Sequence, residues 1–374
     1  MTNNNIRNFG AKCVTLCLAL IISIVSCKQT KQSKNQKPKN VIFCIGDGMG
    51  LAQVSSTLFF NNGKESAFKR FPVVGLHIPK SAKQKITDSA AGATAFATGK
   101  KTYNGAVSKD TLQHNIETIF EHISVQDIST GLIVTSSITH ATPACFYAHA
   151  NSRHDHQLIA EQLINSNIDF IAGGGLKYFN QNNLLEELKS SFELSTSIKP
   201  MELDPNNKYA FILAEDGLKS ALKGRGTYLS DMSLKALNFL KKKENPFIAV
   251  IESSQIDWEG HSANHRGIVA EMNDFNSTLN SILNWAEDDG ETLVIVTADH
   301  ETGGYAITPQ WNNLSWDYDS LGGSFYNGVK EKESTLSHTG TMVPIFAFGP
   351  GANVFTGIYQ NTDIHRKLLE LTEW

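Results

Sequence analysis

The chain is punctuated by short runs of Val, Ile, Leu and Phe that show almost no alternation with polar residues. They are Val41–Ile45, Leu132–Thr135, Phe170–Ala172, Phe247–Ile251, Leu293–Thr297 and Pro344–Phe348. A strand with one wet face alternates, whereas a strand apolar on both sides must be covered on both. Each run is therefore expected inside a mainly parallel sheet with helices on its two faces. Longer amphipathic stretches between the runs supply those helices: Ser89–Thr98, Gln157–Ser166, Leu184–Ser191, Ser230–Lys242, Ile268–Glu287 and Thr362–Leu371. The order of elements predicts an α/β fold, a three-layer sandwich around a central sheet. Residues 41–374 are long enough to bury one large core and read as a single domain. The stretch Gly173–Gly226 has no site-like cluster and reads as scaffold. Ala306–Leu336, with Trp311, Trp316, Tyr318 and several Asn and Gly, reads as a long loop near the mouth of a site.

In open α/β sheets, sites gather beyond the carboxyl ends of the strands. Asp47 follows the first run, within Gly46-Asp47-Gly48-Met49-Gly50. Glu252 closes the fourth run and Asp299-His300 follow the fifth. The glycine spacing matches neither the dinucleotide fingerprint nor the P-loop, and no Lys-Ser/Thr follows. The glycines are read as giving Asp47 room to bridge two metal ions. Asp257-x-x-x-His261 puts a carboxylate and an imidazole on one face if helical. Mixed Asp and His ligands suit zinc. Alone, one such pair would be a surface pair or a helix cap; several behind strand ends point to metal. In Thr87-Asp88-Ser89-Ala90-Ala91-Gly92-Ala93-Thr94 a serine opens a helix of small residues. A hydroxyl there lies among unpaired N–H groups at the positive end of the dipole, which favours an alkoxide and attracts phosphate.

With His140-Ala141-Thr142-Pro143, Arg153 and His338-Thr339-Gly340, these clusters resemble the alkaline phosphatase family in residue type, order and spacing, from about residue 40 to residue 350. The resemblance implies an alkaline-phosphatase-like catalytic domain that hydrolyses phosphate monoesters with two Zn²⁺ and one Mg²⁺. It assigns Asp257, His261 and His338 to the first zinc. Asp47, Asp299 and His300 go to the second, completed by the Ser89 oxygen. Asp47, Thr142 and Glu252 go to the magnesium site. It makes Ser89 the nucleophile that becomes phosphoserine, and Arg153 the clamp on the non-bridging oxygens. Two positions depart from some members. His140 stands where certain relatives carry an acid, and Trp258 where certain relatives carry a base. Both are expected to support the third site rather than ligate, and His140 to weaken magnesium there, because magnesium prefers oxygen. A phosphodiesterase of the same superfamily would usually lack the Thr142, Glu252 and Arg153 set. A non-catalytic metal- or phosphate-binding lipoprotein would have no use for Ser89.

Outside the core, Arg7 and Lys12 precede an apolar run from Cys13 to Val25, and Ile24-Val25-Ser26-Cys27 resembles a bacterial lipobox. Residues 1–26 are expected to be a signal peptide. Cys27 is expected to carry a lipid anchor to a membrane, and 27–40 to be a flexible tether. That makes an exported lipoprotein of the cell envelope, in the periplasm. Cys13 and Cys17 leave with the leader. Cys44 and Cys145 read as small buried hydrophobes, and the sequence leaves a disulfide between them open. His149, His154 and His156 flank Arg153 but match no ligand position. The net charge is −4, and −11 once the seven basic residues of positions 1–40 are set aside. No basic face for nucleic acid is evident, and small anionic substrates must be drawn by local metal charge instead. The resemblance also implies a homodimer.

Overall fold

The computed structural model describes residues 37–374 apart from 62, 199–201, 312–315 and 326–335. The leader, Cys27 and most of the expected tether lie outside the described residues. The body begins earlier than position 41. Lys39 N–H donates to the Glu291 carbonyl at 2.9 Å, and Asn40 is already buried in a strand.

Among the described residues, fourteen strands follow in chain order. They are β1 (Asn40–Gly46), β2 (Val73–Ile78), β3 (Ser129–Ser137), β4 (Phe170–Gly174), β5 (Glu193–Ser195), β6 (Tyr209–Ile212) and β7 (Phe247–Ser253). Then come β8 (Thr292–Thr297), β9 (Glu301–Thr302), β10 (Tyr305–Trp311), β11 (Trp316–Phe325), β12 (His338–Thr339), β13 (Val343–Phe348) and β14 (Gly357–Gln360). Ten form one sheet, in the order β14-β2-β13-β8-β1-β7-β3-β4-β6-β5. All neighbours are parallel except β13, which runs antiparallel to both β2 and β8.

Each of the six apolar runs lies within one of these strands, and the layers follow from alternation along them. On β1, Val41, Phe43 and Ile45 point to one core, and Ile42 and Cys44 to the other. The first core is closed by α2 (Ser89–Thr98), α5 (His156–Ile164), α6 (Leu184–Ser191) and α10 (Thr362–Thr372), counting α1 (Leu51–Phe59), α3 (Ile119–Ile123) and α4 (Ala141–Ala144) in order. Phe96 of α2 meets Phe43 edge-on at 5.5 Å. The second core is closed by α7 (Tyr228–Lys242) and the long α9 (His265–Asp289), which follows the short α8 (Gln255–His261). Cys44 and Cys145 are both free and buried, as small hydrophobes.

One expectation is corrected. Residues 305–311 and 316–325 are not loop but an antiparallel ribbon, β10 with β11. The glycines that suggested a loop instead permit close packing. A side chain at Gly323 would collide with the rings of His265 and Tyr305, a Cβ there reaching 2.6 Å from Tyr305 Cε2. The 173–226 scaffold supplies β5 and β6, which extend one edge of the sheet.

Candidate active site

The central strands deliver their chemistry to one edge. Asp47 leaves the end of β1, its N–H donating to Ser253 O of β7 at 3.2 Å. Gly48 then turns with φ +74°, and a Cβ there would lie 2.7 Å from Thr302 Oγ1 and 2.8 Å from Asp257 Cα. This glycine therefore lets three segments meet, rather than only freeing Asp47. Asp299 and His300 leave β8, and Asp257 and His261 lie one turn apart on α8. His338 opens β12, paired with Thr302 of β9.

Ser89 is the first residue of α2 and is 1% exposed. Asp88 caps the helix, its Oδ1 accepting from Ala91 N–H at 3.0 Å. Gly92 lets the helix lie on Asp299, where a Cβ would come within 2.9 Å of the Asp299 Cβ. As a result Ser89 Oγ sits 3.3 Å from His300 Nε2.

Three donor clusters surround this hydroxyl. In the first, His261 Nε2 and His338 Nε2 are 3.1 Å apart and lie 3.3 and 3.5 Å from Asp257 Oδ1. A tetrahedral ion with arms of about 2.0–2.1 Å has ligand atoms about 3.4 Å apart, so the triad matches the edges of a zinc polyhedron. In the second, His300 Nε2 is 3.2 Å from Asp299 Oδ2 and 3.6 Å from Asp47 Oδ1. The third brings Asp47, Glu252 and His140 together, with Thr142 Oγ1 3.5 Å from Asp47 Oδ2. His140 thus belongs to the donor cluster itself, where the sequence suggested only a supporting part.

Polar accounting points the same way. Asp47 Oδ1, Asp299 Oδ2 and Glu252 Oε1 are buried without a hydrogen-bond partner, an arrangement proteins tolerate where a cation completes it. Without one, burial and then the neighbouring carboxylates hold Asp47 far above the usual carboxylate range. Burial likewise pushes Asp299 up to about 6 and Glu252 up to about 7. Asp257 behaves oppositely: burial raises it, but hydrogen bonds from His261 and His338 more than offset that, leaving it well below the usual range. The imidazoles are also oriented for metal. His261 Nδ1 donates to Leu336 O, and His338 Nδ1 to Thr87 O at 3.0 Å, so both turn Nε2 inward toward Asp257.

Arg153 lies between α4 and α5 at the edge of the third cluster. It donates to Asp88 Oδ2 at 3.2 Å and to His140 Nε2 at 3.2 Å. Trp258 meets His140 edge-on, with centroids 5.9 Å apart, and its ring rests over Gly217. Sequence reasoning missed the Asp88–Arg153 pair. It also missed Ser254, whose hydroxyl donates to Glu252 Oε2 at 2.7 Å. It missed Thr302 as well, whose hydroxyl is hydrogen-bonded to Asp257 Oδ1 and which no local pattern sets apart. His149 is not a ligand: its ring is held by Ser108 O and Glu121 Oε1, each at 2.8 Å. His156 stacks on Tyr178 at 4.2 Å, and His154 is exposed.

A doubly covered α/β sheet with carboxylates, imidazoles and a buried serine at its carboxyl edge defines a metal-binding hydrolase. The family model for alkaline phosphatase matches residues 38–321. Alkaline phosphatase 3 of Bacillus subtilis (strain 168) is 30% identical over 93% of this chain and 92% of its own length. The alkaline phosphatase of Escherichia coli (strain K12) is 28% identical over 89% and 86%. The structure of alkaline phosphatase from the Antarctic bacterium TAB5 shares 40% identity and a TM-score of 0.85, covering 91% of this chain and 99% of that one. Another structure of that enzyme, with a histidine replaced by aspartate, has Mg bound in its M3 site. The chain belongs to the alkaline phosphatase family.

Proposed function

We propose that the protein hydrolyses phosphate monoesters through a phosphoserine at Ser89, in a centre of two zinc ions and a third, magnesium-class ion. The observation that carries this reading is the Ser89 hydroxyl, 3.3 Å from His300 Nε2 beside the unpartnered oxygens of Asp47 and Asp299. The donors suit the ions proposed: Asp257, His261 and His338 for the first, with His300 also within reach of Asp257 and His338; Asp47, Asp299 and His300 for the second; and Asp47, Glu252 and Thr142, with His140 in the same cluster, for the third. Bound divalent ions would supply the positive charge that favours the Ser89 alkoxide and the departing oxygen, and lower the pKa of water toward ~7.

The chain's own residues do the rest. Ser89 Oγ attacks phosphorus in line, so the P–Oγ bond forms as the ester P–O bond breaks. Arg153 presents a planar fork to two non-bridging oxygens, and Asp88 holds that fork at the helix start where the phosphoryl group arrives. Water then displaces Ser89 from phosphorus and returns the hydroxyl. The Arg153 fork, Thr142 and Glu252 together favour monoesters, which offer more free oxygens, over diesters. Acid quenching during turnover should trap phosphate on Ser89, and monoester rates should exceed diester rates. Phosphate trapped on another residue, or faster diester cleavage, contradicts the reading.

The same proposal extends to an exported lipoprotein anchored through Cys27 and acting as a homodimer. Mass analysis of the mature amino terminus and sedimentation of the purified protein test these two points.

A further inference from the structure

His261 and His338 rest Nδ1 on backbone carbonyls, which only accept. His300 differs. Its Nδ1 lies 3.2 Å from the Thr302 hydroxyl, a group able to donate or accept. The second contact of that hydroxyl removes the ambiguity. Thr302 Oγ1 is also hydrogen-bonded to Asp257 Oδ1, the oxygen that faces His261 and His338 at 3.3 and 3.5 Å. A carboxylate accepts, so the one hydroxyl proton goes to Asp257. Thr302 Oγ1 must then accept from His300 Nδ1–H. That tautomer puts the free lone pair of His300 on Nε2, facing Asp47 and Asp299.

Thr302 is itself held firmly. Its N–H donates to Gly48 O at 3.1 Å, and its carbonyl accepts from Gln53 Nε2 at 3.0 Å. A Cβ at Gly48 would lie 2.7 Å from its hydroxyl, and one at Gly260 would lie 3.0 Å from its methyl. Both neighbours are glycines, and the threonine occupies the space they leave.

We propose that Thr302 is a positioning residue that couples the two zinc half-sites, its hydroxyl orienting a ligand of the first ion, Asp257, and a ligand of the second, His300, at once. The inference rests on the two-zinc reading above. Partners behind metal ligands typically contribute about ten- to hundredfold in metal affinity. The test uses the full-length, metal-depleted protein titrated with zinc against a competing chelator. Thr302→Val removes the hydroxyl at nearly constant volume, and Thr302→Ser keeps it. Thr302→Val should weaken both zinc equivalents by about ten- to hundredfold, and Thr302→Ser should restore most of that loss. Wild-type affinity in Thr302→Val, weakening of one equivalent alone, or no rescue by serine would each overturn the proposal.

A second measurement needs no variant. ¹⁵N spectra of the metal-depleted wild type should show His300 protonated on Nδ1, and protonation on Nε2 alone sinks the idea. If the wild type takes up no zinc, the two-zinc reading itself fails. If it takes up two and Thr302→Val matches it, only the coupling fails.

Discussion

The two proposed zinc half-sites share a wall but differ in their access to water. Asp47, Asp299 and His300 are sealed, each with no side-chain exposure, and they adjoin Ser89. Asp257, His261 and His338 open outward, with side chains 7%, 32% and 13% exposed. The sealed half adjoins Ser89, the proposed nucleophile, where a dry setting strengthens every charge interaction. The open half is where a leaving group of any shape can depart and water can enter. The sealed set comes from the ends of the central strands β1 and β8, and the open set from α8 and the short strand β12.

Breaking the sealed half should have the largest effect. Ser89→Ala is expected to lower turnover by about four orders of magnitude or more, while zinc uptake by calorimetry stays normal. Loss of zinc along with activity would mean that Ser89 helps to build the half-site. Arg153 touches neither zinc cluster. Charge-assisted hydrogen bonds of about 1.5–3 kcal/mol each imply that Arg153→Ala lowers monoester kcat/KM roughly ten- to hundredfold and diester rates less. Equal losses on both substrates would give Arg153 a structural role only.

The difference in exposure predicts an order of metal loss. Chelator should strip zinc in two phases, the open half first, and Glu or Gln at His261 should speed only the fast phase. A single phase in the wild type would erase the distinction between the halves.

The metal-free protein gives a pH signature. Glu252 and Asp299 are raised from 4.5 and 3.8 to about 7 and about 6 by burial. Hydrogen bonding to Asp257 and a mix of contacts raise His261 and His338 above their ordinary value. Groups raised in the folded state stabilise it below their unfolded pKa, and that stability is lost as pH climbs through the folded value. Metal-free protein should therefore lose stability as pH rises between about 4 and 7, by on the order of 5 °C in Tm. Zinc-loaded protein should be flat across that range, and scanning calorimetry of the two forms separates the outcomes.

The smallest effect is expected at the third cluster. His140→Asp should tighten magnesium binding and increase activation by added magnesium, because an oxygen ligand replaces a nitrogen. Equal magnesium titrations of the two proteins would show that His140 does not tune that cluster.

The layers were legible because burial on both faces leaves a continuous apolar run, as in Val41–Ile45 and Leu293–Thr297. Ser89, Asp299 and His300 were legible because their place after a strand or at a helix start is itself local. Less could be read where function depends on a partner distant in sequence. Thr302 looks like any strand threonine until Gly48 and Gly260 make room for it. Asp88 looks like a plain cap until Arg153 reaches it across 65 positions. The β10–β11 ribbon was hidden because its glycines, which normally weaken strands, serve here to bring it against His265.

The central position of β1 has a consequence for how this protein comes into being. β1 is the first strand among the described residues, yet its two neighbours are β7 and β8, more than two hundred residues later. During synthesis the segment Val41–Ile45 has neither of these partners until β7, ending at Ser253, has emerged, and lacks the second until Thr297. Such an unpaired apolar strand is an aggregation hazard, and its long-range closure is slow. The centre of the sheet cannot close outward from β1 as the chain emerges. Asp47 reaches Asp299 only when that central closure occurs, so uptake of the metal ion they are proposed to share would mark the moment at which β1 is seated beside β8.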